Sequence, residues 1–132
     1  MSMTVTNVDL HGATIDCINA ETETLSVSTA ETLAEGLILA RNTTSGELGF
    51  YARGGANGLD VARYVLLADT EVTAADVTAT SKNVRVMQTG SVRQDKISTK
   101  AGDAIDYREI DGLKDNSISV VNTEDFSILD NQ

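Results

Sequence analysis

The sequence predicts a mainly β protein: a small, single β-rich domain with one or two short helices and an extended N-terminal arm. Its 132 residues, with a mass of 14.0 kDa, fit one domain with a modest core. Polar and apolar residues alternate with period 2 in several segments, as expected of half-buried strands. Clusters of Gly, Asn and Ser separate these segments, and there is no heptad, repeat or low-complexity tract. We divide the chain into an arm (residues 1–21), a β-rich domain (residues 22–121) and an acidic C-terminal tail (residues 122–132).

The first strands follow the arm. Residues 24–28 read Thr-Leu-Ser-Val-Ser, the alternation typical of a strand with one buried face. The Leu- and Ile-rich segment 36–42 and the segment 47–53 flank a cluster of turn residues that ends at Gly46. We therefore expect a β-hairpin over residues 37–53.

The remaining strands are predicted from apolar runs between turn residues. Residues 54–58 read Gly-Gly-Ala-Asn-Gly and should form a loop, whereas residues 61–68 are mostly apolar and should form a strand buried on both faces. Two strand-like segments, residues 84–89 and 91–93, flank Gly90, which predicts a bulge or kink in one long strand pair. The last predicted strands are residues 118–121 and 126–128.

A short helix is predicted in the C-terminal third of the chain. Asp106 and Glu109 have the spacing of a capping box, with Asp106 at the N-cap. Ile110 and Leu113 should then face the core, and Asn116 should end the helix.

Two other segments carry weaker helical signals. Residues 28–31, Ser-Thr-Ala-Glu, offer a start for a second short helix that Gly36 would end. Residues 73–80 are compatible with one helical turn, although their high Thr content disfavours a helix.

The charge distribution excludes several classes of partner. The formal net charge of −10 is concentrated at the two ends: residues 1–40 carry −6, residues 41–100 carry +2 and residues 101–132 carry −6. Acidic ends repel phosphates, so we expect no binding to nucleic acid or to anionic membranes. The longest uncharged apolar run, residues 65–68, is too short to span a membrane, and the N-terminus lacks the pattern of a signal peptide. We therefore expect a soluble protein made in a cytoplasm.

The sequence offers little material for catalysis or metal binding. Cys17 and His11 are the only cysteine and histidine, and a nucleophile pair built from them is disfavoured because both lie in a polar leader. Together with Asp9 and Asp16 they lack the paired spacing of a metal site. The loop at residues 54–58 lacks the Gly-Lys-Ser/Thr ending of a phosphate-binding loop, and no Gly-x-Ser-x-Gly elbow is present. We expect no catalytic, cofactor-binding or metal-binding residues and no small-molecule substrate, and we predict that the protein is not an enzyme.

Four segments, taken in order, resemble a known family. They are Glu35 to Arg41 with the turn at Gly46 and Phe50-Tyr51, Val61 to Asp69, Val84 to Asp95, and Ile110 to Val120. In this order and spacing, across residues 24–121, the chain resembles the lambda-type head decoration proteins of tailed bacteriophages.

The resemblance implies a body similar to a β-barrel or β-tulip and a structural role in the virion. It implies a homotrimer that sits on the local three-fold axes of the expanded phage head and clamps neighbouring subunits of the major capsid protein. The implied location is the outer surface of the capsid, after synthesis in the cytoplasm of the host bacterium.

The N-terminal arm is the predicted capsid-binding element. From Met3 to Val8 it alternates between β-branched and polar residues, a pattern suited to adding a strand to the exposed sheet edge of another protein. An extended arm of about 20 residues reaches about 65 Å, which is far enough to cross onto an adjacent subunit. The residues assigned to capsid binding are Thr4, Val5, Thr6, Val8 and Leu10.

Two alternative functions stay open at this point. One is a different virion or assembly component, such as a tail or head-completion subunit. The other is a small ligand-binding β-barrel or an enzyme with an acidic pocket formed by Asp60 and Asp69 near Arg63, although a solvated rim accounts for these charges more simply.

Overall fold

The computed structural model describes residues 13–122, and the protein is mainly β within them, with 44% strand and 16% helix. The strands are β1 Thr14–Ser26, β2 Glu31–Leu33, β3 Ile38–Arg41, β4 Leu48–Phe50, β5 Tyr64–Leu66, β6 Thr70–Val72, β7 Ser81–Arg93 and β8 Ile118–Val121. The α-helices are α1 Ala74–Ala79 and α2 Tyr107–Asp115, and the 3₁₀ turn Gln94–Lys96 follows β7 directly. The predicted fold class, mainly β with short helices, is confirmed.

Five of the strands form a closed ring. Strands β4, β3, β5 and β7 are antiparallel neighbours in that order. Strand β1 pairs antiparallel with β7 along its length and parallel with β4 through the pair Leu25↔Leu48, so the sheet closes on itself as a small barrel. Strand β8 adds in parallel to the C-terminal half of β7, and β2 and β6 form a separate two-stranded sheet.

The central strands β3 and β5 are buried on both faces, because their successive residues point into two different apolar clusters. In β5, Val65 belongs to the cluster that includes Leu113 of α2, whereas its neighbours Tyr64 and Leu66 belong to the other cluster. All three residues of β5 are buried. The two-sided burial predicted for residues 61–68 is therefore confirmed for Tyr64–Leu66. It is wrong at the ends of the segment, where Val61 and Ala68 are exposed.

The predicted hairpin is confirmed. Strands β3 and β4 are antiparallel, with Leu39 opposite Phe50, and Gly46 lies in the turn between them. Its φ of +83° is in the left-handed region, which a glycine adopts without steric cost. The loop predicted at residues 54–58 and the strand predicted at residues 118–121 are also present.

The irregularity predicted at Gly90 is confirmed in the long β1–β7 pair. The register shifts after the pair Cys17↔Gly90, and Ile18 is left as an extra residue of β1 before the next pair at Asn19. A Cβ atom on Gly90 would overlap the carbonyl oxygen of Asp16. The two strands therefore come too close here for any residue other than glycine.

Helix α2 begins and ends where the sequence predicts. Asp106 is its N-cap, Asn116 is its C-cap, and the capping box with Glu109 is formed. Leu113 is buried as expected, but Ile110 is only half-buried. The fully buried residue of the first turn is Glu109 instead.

The second predicted helix, starting at residues 28–31, is wrong. Residues 31–33 form β2, which pairs with β6, and Leu33 is buried in the cluster that also contains Val72. Burial of these side chains outweighs the local helix signal. The weaker candidate at residues 73–80 does form a helix, α1, whose capping box joins Thr73 and Asp76.

The predicted boundary between residues 21 and 22 falls inside β1, which crosses it without a break. Residues 14–21, the last part of the predicted arm, pair with β7. The strand predicted at residues 126–128 and the tail beyond Asn122 lie outside the described residues. Within residues 13–122, neither helix is long and apolar enough to cross a membrane.

Candidate functional site

The residues assigned to capsid binding, Thr4, Val5, Thr6, Val8 and Leu10, all lie outside the described residues. The nearest described part of the chain is the first half of β1. A partner bound by the arm would lie next to the surface of this half-strand, because the arm is covalently continuous with it.

One side of β1 pairs with β7, and its other side forms a strand edge that we call the β1 edge, residues 14–24. Within the described range, only Leu25 pairs on that side, with Leu48 of β4. Residues 16–19 are exposed, and the side chain of Ile18 is 70% exposed. Unpaired backbone N–H and C=O groups on an edge strand are a template for pairing with another chain. The β1 edge is thus a surface suited to strand addition.

Polar contacts hold the second half of β1 firmly against the barrel. Oε2 of Glu23 lies 3.2 Å from Nη2 of Arg41, which also donates a hydrogen bond of 2.8 Å to the hydroxyl of Tyr64. The hydroxyl of Thr24 donates to Oδ1 of Asn83 on β7 at 3.1 Å. The β1 edge therefore belongs to a fixed strand, so a partner that pairs with it does not have to order it first.

The residues considered for catalysis or metal binding do not assemble a reactive site in the described part of the chain. Desolvation and the neighbouring Asp16 carboxylate raise the pKa of the exposed Cys17 thiol, which lowers the fraction of reactive thiolate. Asp9 and His11, the other members of the proposed pair and metal site, lie outside the described residues. Residues 13–122 contain no group of three side chains able to hold a metal ion.

The acidic pocket considered at Asp60, Asp69 and Arg63 is not formed as a charge cluster. Asp60 and Asp69 are both exposed, and Oδ1 of Asp69 accepts a hydrogen bond of 2.8 Å from the backbone N–H of Glu35. The guanidinium of Arg63 lies over the ring of Tyr64, 5.8 Å from its centre. Among the described residues, no ion pair joins Arg63 to either aspartate.

The carboxylate of Glu109 is fully buried and accepts four hydrogen bonds. Arg53 donates to it twice, from Nε to Oε2 at 2.9 Å and from Nη2 to Oε1 at 2.8 Å. The hydroxyl of Tyr51 donates to Oε2 at 2.7 Å, and the backbone N–H of Asp106 donates to Oε1 at 3.0 Å. Because Tyr51 and Arg53 come directly after β4, this network attaches the start of α2 to the barrel.

The network also fixes the protonation state of its members. Burial acts to raise the pKa of Glu109, but the hydrogen bonds from Arg53, Asp106 and Tyr51 outweigh it and lower the pKa from 4.5 to about 2. Burial and the bond to Glu109 raise the pKa of Tyr51 to about 12, and the bond to Glu109 raises the pKa of Arg53. None of the three changes its charge near pH 7, so the arrangement supports structure and not proton transfer.

Only part of this network carries a signal in the sequence. The capping-box spacing predicts the bond between Glu109 and the Asp106 N–H, but it does not indicate the burial of the carboxylate. The partner Arg53 lies 56 residues away along the chain and comes close only through the barrel. Nothing in the local pattern around Tyr51 and Arg53 predicts that contact.

No family model matches the sequence, and no curated protein matches it. The functional interpretation therefore depends on the residues of this chain and on their arrangement.

Proposed function

We propose that this chain is a capsid decoration protein of a tailed bacteriophage. In this proposal it forms a homotrimer on local three-fold axes of the expanded head and clamps neighbouring subunits of the major capsid protein. It acts as a structural protein on the outer surface of the virion and catalyses no reaction.

The order of the elements is the observation that carries the proposal. The four segments of the resemblance correspond, in chain order, to parts of one body. Residues 35–53 contain the β3–β4 hairpin and residues 61–69 contain β5. Residues 84–95 contain all of β7 except its first three residues, and residues 110–120 contain the second half of α2 and the start of β8. Three of these segments contribute strands to the closed ring, and the fourth covers one face of it. The segments on which the resemblance depends are therefore spread over the packed body and do not form a single local motif.

The arm and the β1 edge supply the proposed clamp. Pairing of the arm with a strand of the capsid protein would give main-chain hydrogen bonds, and the exposed side chain of Ile18 would add apolar contact next to it. Ordering an arm costs about 1–2 kcal/mol per residue, so one arm binds weakly. Three arms on one trimer raise the avidity by about 10²- to 10⁴-fold, because the later contacts form within a complex that already exists.

Deletion of residues 2–12 tests this mechanism. The deletion stops before β1, since residues 14–21 pair with β7 and their loss would damage the barrel. We expect a folded trimer that no longer sediments with expanded, undecorated heads. Two double variants of unchanged length test whether the alternating strand pattern of the arm is required. V5D/V8D removes the apolar side chains of that pattern and should abolish binding, whereas T4S/T6S, the matched control, should still bind. Full binding by the deletion variant would contradict the arm mechanism, and a monomeric parent protein would contradict the clamp itself.

A further inference from the structure

A small polar pocket of about 240 Å³ lies where the start of β5, the middle of β7 and the end of α2 meet. Residues 63–64, 88–89 and 115–117 line it. Pockets that enclose a whole small-molecule ligand usually measure about 300–1,000 Å³, so this one suits a single side chain or a small ion. The function proposed above uses none of the residues that line it.

Arg63 is the cation of this pocket, and its position is fixed by the barrel. Its backbone N–H donates to the carbonyl of Leu39 at 3.1 Å, and its guanidinium lies over the ring of Tyr64, 5.8 Å from the ring centre. Within residues 13–122, this guanidinium forms neither an ion pair nor a hydrogen bond. Its planar fork of N–H donors matches the two oxygens of a carboxylate and is therefore available to a ligand.

Three uncharged side chains add hydrogen-bond donors to the same pocket. Oε1 of Gln88 accepts a hydrogen bond of 3.1 Å from Nδ2 of Asn19, which leaves the N–H groups of Nε2 of Gln88 for another acceptor. Thr89 and Ser117 contribute hydroxyl groups, and neither hydroxyl is hydrogen-bonded to another residue in the described part of the chain. The pocket therefore combines one cation with several donors, which suits a ligand that is negatively charged and accepts hydrogen bonds.

Two features of the pocket oppose an anion, but both are weakened. Asp115 is exposed, so water and salt screen its carboxylate. The backbone N–H groups of Asn116 and Ser117 donate to carbonyls of the last turn of α2 at 3.0 and 3.1 Å, so these carbonyls are already bonded. A single negative charge is compatible with this surrounding, whereas Asp115 repels the higher charge of phosphate more strongly.

We propose that this pocket binds a single carboxylate, with Arg63 as the cationic anchor and Gln88, Thr89 and Ser117 as further hydrogen-bond donors. The carboxylate is that of a free monocarboxylic acid or of an Asp or Glu side chain on a protein partner, and its chemistry at Arg63 is the same in both cases. The proposal does not depend on the proposed function, since neither the arm nor the capsid enters it.

Titration of the isotope-labelled full-length protein with sodium acetate, followed by NMR spectroscopy, tests this assignment. We expect saturable shifts of the Arg63 Nε–H and Gln88 side-chain amide signals that sodium chloride at the same ionic strength does not produce. R63Q should weaken acetate binding by about tenfold or more, because charged hydrogen bonds are lost. R108Q is the matched control, since Arg108 also lies over a tyrosine ring, 5.6 Å from the centre of Tyr107, but does not line the pocket, and it should leave the acetate affinity unchanged. Shifts that chloride reproduces, or an acetate affinity that R63Q does not change, would overturn the proposal.

Two further variants keep the proposal falsifiable if R63Q fails to fold. Q88E retains an oxygen that accepts from Asn19 but replaces the donor amide with a negative charge, so it should abolish acetate binding. D115N removes the opposing charge and should tighten acetate binding by about two- to fivefold. Unchanged binding in Q88E, weaker binding in D115N, or tighter binding of sodium phosphate than of acetate would each contradict a carboxylate site.

A blocked aspartate, N-acetyl-aspartic acid N-methylamide, distinguishes the two sources of the carboxylate. It carries the carboxylate on a peptide backbone, as a protein partner does. Binding at least as tight as that of acetate would assign the pocket to a protein side chain, and weaker or absent binding, with acetate still bound, would assign it to a free monocarboxylic acid. Failure of both probes to bind would overturn the proposal.

Discussion

Replacing Glu109 with Gln should weaken the attachment of α2 to the barrel. The substitution keeps the size of the side chain but removes the charge that Arg53 and Tyr51 bind. The pKa of the carboxyl falls from 4.5 to about 2 in the folded protein, and each pKa unit corresponds to about 1.4 kcal/mol. We therefore expect E109Q to lower the free energy of unfolding by about 3 kcal/mol at pH 7.

The effect of E109Q should depend on pH in a defined direction. Because the pKa of Glu109 is lower in the folded state, its contribution is complete above about pH 4.5 and is lost as the pH falls through about 2. The difference in stability between the parent and E109Q should therefore shrink on acidification, to less than half of its neutral value near pH 3.

Urea denaturation followed by far-UV circular dichroism suits this chain, which has no tryptophan. D111N is the control, since Asp111 is an exposed acidic residue of the same helix, and its loss should change stability by no more than about 0.5 kcal/mol at any pH. A loss below about 0.5 kcal/mol for E109Q at pH 7, or a difference that does not shrink in acid, would refute the role assigned to this network.

Three further substitutions test the strand contact at Gly90, the cap of α1 and the β1 edge. Gly90→Ala should lower the free energy of unfolding in urea by about 1–3 kcal/mol, because the Cβ of the alanine would overlap the carbonyl oxygen of Asp16 in β1. Unchanged stability would contradict the close approach of the two strands. Thr73→Ala removes the N-cap of α1 and should lower the free energy of unfolding by about 1 kcal/mol. Thr78→Ala in the same helix should lower it by less, and equal losses for the two variants would argue against the cap. Ile18→Lys should change the free energy of unfolding by no more than about 0.5 kcal/mol but should reduce co-sedimentation with expanded heads. Val61→Lys, at a second exposed apolar residue, should leave co-sedimentation unchanged. Equal effects of the two variants on co-sedimentation would contradict a specific role of the β1 edge in binding.

Local patterns predicted the elements whose signals are local. The capping box of Asp106 and Glu109 predicted the start of α2 correctly, and the turn cluster before Gly46 predicted the β3–β4 hairpin. Gly90 indicated a strand irregularity, because a glycine inside a strand often marks a bulge or a close approach of two backbones. In each case the sequence itself contains the residues that make the hydrogen bonds or the turn.

Features that depend on distant contacts were not predictable in the same way. The segment at residues 28–31 has a helical start signal, but the burial of Leu33 beside β6 makes it lead into a strand. The closure of the ring depends on Leu25 reaching Leu48, and the burial of Glu109 depends on Arg53. Such contacts depend on tertiary packing, and the local periodicity of the sequence does not predict them.

Imaging of reconstituted heads tests the central claim most directly. Purified protein is mixed with expanded, undecorated heads of the tailed phage that the proposal implies as its source, and the mixture is imaged by electron cryomicroscopy. We expect three-lobed density at many copies on the local three-fold axes of the head. Density absent from the shell, or confined to the tail or to the vertex where the tail attaches, would contradict the proposal and would favour a tail or head-completion subunit.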